Sequence, residues 1–117
     1  MIHKNIESKL DIINYFKNGC KNEDQLKIGL EHEKFLFENN SKKRVNFSTV
    51  LKIFNYLTRF GWKPIKEGRK TVSLLRNGQN ITLEPGNQIE LSGGILNSLH
   101  LTCEESYKFS VELKQAC

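Results

Sequence analysis

The sequence predicts an α+β fold, in which helices flank a mostly antiparallel sheet. Three segments place apolar residues at helical spacing, and several stretches between them alternate in the manner of strands. Two tight-turn signals, Asn77-Gly78 and the EPGN stretch at residues 84–87, connect three of the strand-like stretches. The order of helix, strand, helix, three strands and helix therefore indicates strands that pair with their neighbours in sequence.

The chain is predicted to begin with an amphipathic helix over residues 6–17, which Gly19 ends. A strand is predicted next, over residues 26–37. Because successive side chains of a strand point to opposite faces, Glu31 and Glu33 share one face. This strand is therefore expected to be acidic on one side.

A second helix is predicted after the polar loop at residues 38–44. Ser48 is its expected N-cap, and Gly61 is its expected end. Trp62 follows that end directly and is expected in the core.

The second half of the chain is predicted to form a β-meander and a third helix. The three strands are expected at residues 71–76, 79–84 and 87–92. The helix is expected from Ile95 onward, because apolar residues recur there every four positions. These residues are Leu99, Cys103, Tyr107 and Val111. Cys103 is expected to pack within the helix interface.

Size and composition indicate one domain with a single modest core. The chain has 117 residues, of which 38% are hydrophobic and 26% are charged. No apolar run approaches the roughly 18 residues of a membrane span, and the N-terminus lacks a secretory cleavage pattern. Three cysteines without C-x-x-C spacing indicate free thiols rather than a zinc site or a disulfide framework. A cytoplasmic protein without a membrane partner is expected.

The net charge of +5 is distributed along the chain rather than gathered in a tail. Basic clusters at residues 42–44 and 63–70 are expected to be solvated surface. Nucleic acid is not expected as a partner, because the aromatic residues occupy apolar periodic positions and do not lie among the basic ones.

Four glutamates are the candidate site residues: Glu31, Glu33, Glu84 and Glu90. By spacing alone, an E-x-E on a strand is more often a solvated face than a metal site. The second pair favours a site, because it lies among apolar residues expected to be buried. A sheet lined with carboxylates would suit Mg²⁺ or Mn²⁺, which prefer hard oxygen ligands.

Four segments, in this order along the chain, resemble the opening part of glutamate-cysteine ligases of the plant and proteobacterial type. The segments are IGLEHEKFLF, FGWKPIKEG, NITLEPGNQIELSGG and LHLTCEES. The resemblance runs over nearly the whole chain from the first helix onward.

The resemblance implies a fold similar to the catalytic domain of glutamine synthetase. It implies that Glu31, Glu33, Glu84 and Glu90 lie at a metal and substrate site, with ATP and Mg²⁺ or Mn²⁺ as cofactors. The implied substrates are glutamate, cysteine and ATP. The implied reaction forms γ-glutamylcysteine through a γ-glutamyl phosphate, which is the first step of glutathione biosynthesis.

Roles are also predicted for four residues near the glutamates. Gln88 and Ser92 share a face with Glu90 and are expected to contact substrate. Arg76, beside the Asn77-Gly78 turn, is a candidate contact for a phosphate, and a solvated hairpin end is the alternative interpretation. His32 is expected to face away from Glu31 and Glu33 and to be structural.

The third helix has no stop signal before residue 117, and the family's proteins are longer. The chain is therefore expected to be the N-terminal part of a single catalytic domain with little ligase activity alone. Two alternatives stay open. One is a ligase-derived metal- or nucleotide-binding regulatory module without catalysis, and the other is a ligase with a different acceptor amine. The sequence specifies no oligomeric state.

Overall fold

A computed structural model describes residues 5–117 and contains one five-stranded antiparallel sheet with three α-helices. The strands are β1 (Glu31–Lys34), β2 (Lys63–Glu67), β3 (Lys70–Arg76), β4 (Gln79–Glu84) and β5 (Gln88–Ser92). The helices are α1 (Lys9–Gly19), α2 (Phe47–Leu57) and α3 (Leu99–Ala116), with 3₁₀ turns at Glu23–Gln25 and Thr58–Phe60. The strand order is β1-β5-β4-β3-β2, and every neighbouring pair is antiparallel. The predicted α+β class with an antiparallel sheet is confirmed.

Two tight turns set the register of the three central strands. Asn77 and Gly78 both adopt positive φ, at 50° and 82°, and allow β4 to return directly beside β3. Gly86 and Asn87, with φ of 73° and 60°, do the same between β4 and β5. Both predicted turns are confirmed.

Helix α1 begins later than predicted, at Lys9. A capping box fixes this start: Ser8 Oγ accepts from the Asp11 backbone N at 3.2 Å, and Asp11 Oδ2 accepts from the Ser8 backbone N at 2.9 Å. The predicted end at Gly19 is confirmed. None of the helix's residues is buried, so its apolar side does not form part of the core.

The cap of α2 differs from the prediction. Asn46, not Ser48, is the N-cap: Asn46 Oδ1 accepts from the Thr49 backbone N at 3.0 Å. Ser48 lies in the first turn and donates its hydroxyl to the same Asn46 oxygen at 2.7 Å. The 3₁₀ turn that follows α2 ends at Gly61, whose φ is 87°, as the sequence predicted.

Strand β2 has no counterpart in the sequence prediction. All five of its residues are exposed, so it lacks the alternation that identifies a half-buried strand. Pro64 is tolerated because β2 is an edge strand, and a bulge interrupts its pairing with β3 between Ile65 and Lys66. Strand β1 is shorter than predicted, although an isolated bridge joins Ile28 to Leu96 ahead of it.

The core lies between one face of the sheet and helices α2 and α3. The sheet contributes Leu74, Ile81, Ile89 and Leu91, all with no exposed surface. The helices add Val50, Ile53, Phe54, Leu57, Phe109 and Leu113. Trp62, at 2% exposed, is a core residue as predicted.

Helix α3 turns a different face to the core from the one that its apolar spacing indicated. The buried residues are Thr102, Phe109, Glu112 and Leu113. Leu99 and Tyr107 are 64% and 73% exposed, and Cys103 is exposed, so the expected packing role of Cys103 is wrong. The sequence analysis missed the buried face of α3 because this face includes the polar side chains of Thr102 and Glu112. Both are hydrogen-bonded to other groups of the protein.

Those partners form a buried polar network around Glu112. Trp62 Nε1 donates to Glu112 Oε2 and Arg76 Nη1 donates to Glu112 Oε1, each at 2.8 Å. The Arg76 guanidinium also lies 4.0 Å from the centre of the Trp62 ring and donates to the Phe60 carbonyl at 2.9 Å. The network joins α3 to the sheet and to the 3₁₀ turn that follows α2.

Arg76 is therefore not at a solvated hairpin end. Its side chain is only 9% exposed and points to the helix-covered side of the sheet. Its hydrogen bonds are made to protein groups of the core, so we do not include Arg76 in the candidate site.

His32 faces away from Glu31 and Glu33, as predicted from strand alternation, and its side chain lies beside α3. Its Nδ1 lies 3.4 Å from Ser106 Oγ, and its Nε2 lies 3.0 Å from Lys34 Nζ. Burial, followed by the charge of Lys34, lowers the pKa of His32 below its usual value.

No helix in residues 5–117 is both long and apolar enough to cross a membrane.

Replacing Glu112 with alanine should strongly destabilise the fold. The substitution leaves the Arg76 charge buried without its ion-pair partner, which costs about 3–5 kcal/mol. Urea unfolding followed by circular dichroism measures the change. Glu104→Ala, at an exposed position of the same helix, should change the free energy of unfolding by less than about 0.5 kcal/mol. Equal stability of the two variants would contradict the role of Glu112.

Stability should fall as the pH drops below the ordinary His32 pKa of about 6.5. In that range the unfolded chain binds a proton at His32 more readily than the folded chain does, so unfolding is favoured. The urea midpoint should therefore differ less between pH 7.5 and pH 5.5 in His32→Gln than in the unchanged protein. The exposed His100 provides the control, since His100→Gln should leave that difference as it is. An unchanged pH dependence in His32→Gln would refute the interpretation.

Candidate functional site

The four candidate glutamates lie on the open face of the sheet, opposite the core. In the register, the buried residues Leu91 and Ile89 are paired with His32 and Lys34. Alternation then directs the odd-numbered residues of β1 to the other side of the sheet. The even-numbered residues of β4 and β5 point the same way, because Ile81, Ile89 and Leu91 are buried.

Strand pairing brings three of the glutamates into one neighbourhood. Glu33 is directly opposite Glu90 in the β1–β5 pair. Residues so placed have Cβ atoms about 4.5–5.5 Å apart. Glu84 pairs with Gln88, which is two residues before Glu90, so it is a diagonal neighbour of Glu90. Diagonal neighbours are about 7–8 Å apart, within reach of long side chains.

Glu31 lies at the other end of β1, directly opposite Ser92. It is two residues from Glu33 and shares its face. The open face therefore carries all four glutamates together with Gln88 and Ser92, and it does not carry Arg76.

Two hydroxyl groups hold one oxygen of each central carboxylate. Thr82 Oγ1 donates to Glu84 Oε1 at 2.7 Å, and Ser92 Oγ donates to Glu90 Oε1 at 2.9 Å. In each case the donor is two residues from the acceptor on the same strand. The hydroxyls restrict the carboxylate rotamers and leave the open side of the sheet accessible.

Thr82 is a site residue that the sequence analysis missed. It faces Glu90 across the β4–β5 pair and also bonds Glu84, so it lies between two of the candidate carboxylates. Its position two residues before Glu84 is the signal that would have identified it.

Asn80 is a second missed residue on the open face. It is paired with Ser92, and its Oδ1 atom is buried without a hydrogen-bond partner in the described structure. Such an atom is unusual in a folded protein.

Exposure differs between the two pairs of glutamates. Glu31 and Glu33, on the edge strand, are exposed, whereas Glu84 and Glu90, on the central strands, are half-buried. Within residues 5–117, no three His, Cys, Asp or Glu side chains are grouped closely enough to hold a metal ion by themselves. The open face is a row of oxygen donors and not a closed cage.

The chemistry of these donors suits a hard divalent cation. Carboxylate, amide and hydroxyl oxygens are the ligands that Mg²⁺ and Mn²⁺ prefer. Mg²⁺ commonly uses only one or two protein carboxylates and completes its octahedral shell with water and substrate phosphates. A pair such as Glu33 and Glu90 therefore meets the requirement without a third acidic ligand.

Comparison with known proteins connects this surface to one family. The family model described as "Glutamate-cysteine ligase family 2(GCS2)" matches residues 27–117, a range that includes all four glutamates.

Similar proteins include three plant enzymes, each named as a chloroplastic glutamate-cysteine ligase. The chain is 44% identical to the one from Arabidopsis thaliana over 96 residues, which is 81% of this chain and 18% of that protein. It is 43% identical to the Brassica juncea protein over 81% of this chain and 19% of that protein. It is 42% identical to the Medicago truncatula protein over 84% of this chain and 20% of that protein.

The chain thus spans about a fifth of the length of these curated relatives. The family model, in contrast, covers most of the chain, including every strand of the sheet and helices α2 and α3. On that match, the chain belongs to glutamate-cysteine ligase family 2.

Proposed function

We propose that this chain forms one wall of the active site of an ATP-dependent glutamate-cysteine ligase. In this proposal the sheet is part of a glutamine synthetase-like catalytic fold, and its open face binds divalent cations and substrates. Family membership and the placement of the four glutamates on one accessible face support it.

The observation that carries the proposal is the direct pairing of Glu33 with Glu90. Two like charges opposite each other on a sheet destabilise it, so folding alone does not favour this arrangement. A bound cation would reverse the sign of the interaction. Ser92 further fixes the Glu90 carboxylate in a conformation on the same face.

The proposed cofactors are ATP and Mg²⁺, with Mn²⁺ as a substitute. Glu33 and Glu90 would hold one ion, and Glu31 and Glu84 extend the row of donors on either side. When bound, the ions would neutralise negative charge on the ATP phosphates during transfer. The carboxylates need no catalytic proton for this role, because they act as ligands.

The proposed reaction has two steps. The γ-carboxylate of glutamate attacks the γ-phosphorus of ATP, which releases ADP and forms γ-glutamyl phosphate. The amino group of cysteine then attacks the acyl carbon, an amide bond forms, and phosphate leaves as the nitrogen loses a proton. The product is γ-glutamylcysteine, so the enzyme would catalyse the first step of glutathione biosynthesis.

In this reaction the residues of the open face bind and orient the reactants. Gln88 and Ser92 present an amide and a hydroxyl beside the proposed metal ligands, where they would contact substrate. Thr82 fixes the Glu84 carboxylate through its 2.7 Å hydrogen bond. Positioning reactants in this way is the main contribution of protein residues to phosphoryl transfer.

The proposed small-molecule partners are glutamate, cysteine and ATP, and a cytoplasmic location was predicted from the sequence. The names of the relatives describe those plant proteins as chloroplastic.

The 117-residue chain should bind Mn²⁺ through the paired carboxylates. Glu33→Gln and Glu90→Gln should each weaken Mn²⁺ binding at least about tenfold, as measured by calorimetric titration. Without metal, either substitution should stabilise the chain by roughly 0.2–1 kcal/mol, because it removes the like-charge pair.

Glu67→Gln is the matched control for this experiment. Glu67 is an exposed glutamate on β2, at the opposite edge of the sheet, so its substitution should leave Mn²⁺ affinity unchanged. Equal affinity in all three variants would remove Glu33 and Glu90 from the metal site.

A chimera tests the ligase activity. Residues 27–117 of this chain replace the matching segment of the Arabidopsis thaliana relative, and ADP release is measured with glutamate and cysteine. The chimera should be active, and Glu31→Gln or Glu84→Gln within it should lower turnover by about a hundredfold or more.

The outcomes of this experiment separate the open alternatives. An inactive but folded chimera, combined with Mg²⁺-dependent ATP binding by the 117-residue chain, would favour a regulatory module. Turnover with another amine in preference to cysteine would indicate a different acceptor. Full activity of both glutamate variants would refute the proposed metal site.

A further inference from the structure

Glu105 of α3 ties the helix to the end of strand β5. Its two carboxylate oxygens accept from the Gly94 backbone N–H at 3.0 and 3.1 Å. Oε1 also accepts from Nε2 of Gln79, a residue of β4. The carboxylate is half-buried and directed at the helix-covered side of the sheet, away from the four candidate glutamates.

Gly93 leaves the space that the Glu105 carboxylate occupies. A Cβ atom at Gly93 would lie 2.2 Å from Glu105 Oε2 and 3.2 Å from the Leu30 carbonyl oxygen. Real Cβ atoms do not approach other atoms at the first of these distances, so any other residue would displace the carboxylate. A side chain at position 93 would therefore compete with the Glu105 carboxylate for the same space and press on the Leu30 carbonyl.

The same corner fixes the start of strand β1. The Gly93 backbone N–H donates to the Leu30 carbonyl at 2.7 Å. Leu30 immediately precedes Glu31, and Gly93 immediately follows Ser92, the residue with which Glu31 is paired. A shift of the Gly93-Gly94 backbone would therefore move the Glu31–Ser92 pair.

We propose that Glu105 is a positioning residue for the open face: it fixes the spacing and register of β1 and β5, and thereby the positions of Glu31, Glu90 and Ser92. Glu105 acts through the backbone and contacts neither metal nor substrate. The link to cation binding rests on the proposed function, whereas the link to strand register does not.

The positioning role is supported by the three strands that are connected, directly or through the backbone, to the Glu105 carboxylate. Glu105 accepts a hydrogen bond from Gln79 of β4. It also accepts one from Gly94, which lies just after the end of β5. Through Gly93 that backbone reaches Leu30 and β1. Hydrogen bonds to a charged acceptor are stronger and shorter than neutral ones, so the carboxylate is suited to hold this junction.

The test uses three variants of the 117-residue chain. Two are the single variants Glu105→Ala and Gly93→Ala, and the third combines Gly93→Ala and Glu105→Asp in one chain. Two quantities are measured: the nuclear Overhauser contact between the Glu31 and Ser92 backbones, and Mn²⁺ affinity. Each single variant should weaken the contact and lower Mn²⁺ affinity about tenfold or more. The double variant should bind Mn²⁺ more tightly than Gly93→Ala alone, because aspartate withdraws the carboxylate from the added methyl group.

Glu104→Ala is the control, since Glu104 is the exposed neighbour of Glu105 on α3, and it should change neither quantity. If Glu105→Ala fails to fold, Glu105→Met is measured in its place, because it keeps the length of the side chain and removes both acceptor oxygens. Retention of both the Glu31–Ser92 contact and Mn²⁺ affinity in a folded Glu105 variant would overturn the proposal.

The experiment also separates the two hypotheses. If the unchanged chain binds no Mn²⁺, the metal site of the proposed function fails, and the strand contact alone decides the role of Glu105. In that case, loss of the contact in the variants supports the register role, and its retention refutes it.

Discussion

The register between β4 and β5 is the constraint on which the rest of the structure depends. A slip of one residue would exchange the two faces of a strand and place Glu90 in the core and Ile89 and Leu91 in solvent. The tight turn at Gly86 and Asn87 prevents that slip, because it fixes which residues face each other at the start of β5. The burial of the apolar residues acts in the same direction. The central strands can then be acidic and open on one face because their other face is largely apolar and packs against α2 and α3.

The covered face also contains charge, and its polar groups have specific partners. Glu112 accepts from Trp62 and Arg76, and Glu105 accepts from Gly94 and Gln79. Both glutamates belong to α3, and their partners Arg76 and Gln79 are paired with each other beside the β3–β4 turn, so two carboxylates of one helix hold the same end of the sheet. A buried ion pair of this kind adds little net stability compared with apolar packing, but loss of one partner is costly. We interpret these bonds as devices that fix the position of α3 relative to the sheet.

The sequence predicted the parts of the fold that depend on the alternation of side chains along strands and on the residue types of tight turns. The β-meander, its two turns and the shared face of Glu31 and Glu33 follow from strand alternation and from residues that accept positive φ. The placement of the first pair beside the second could not be deduced from alternation alone, because β1 joins the sheet next to the last strand in sequence. The resemblance to a known family, and not the pattern, connected the two pairs. Strand β2 was missed because an exposed edge strand with a proline has no hydrophobic signature. The buried face of α3 was assigned to the wrong residues because the spacing of apolar residues does not reveal a buried glutamate. Glu112 is buried because Arg76 and Trp62 donate hydrogen bonds to it.

The edge position of β1 gives its glutamates a second physical effect. An edge strand presents unpaired backbone groups that can accept a strand from another molecule, and charged side chains discourage such pairing. Glu31 and Glu33 are exposed on β1, close to the exposed rings of Phe35 and Phe37. Their exposed negative charges therefore also oppose intermolecular sheet extension at an edge with nearby aromatic surface. The solubility of the chain and its proposed affinity for cations would then depend on the same two carboxylates, and neutralising them would affect both properties together.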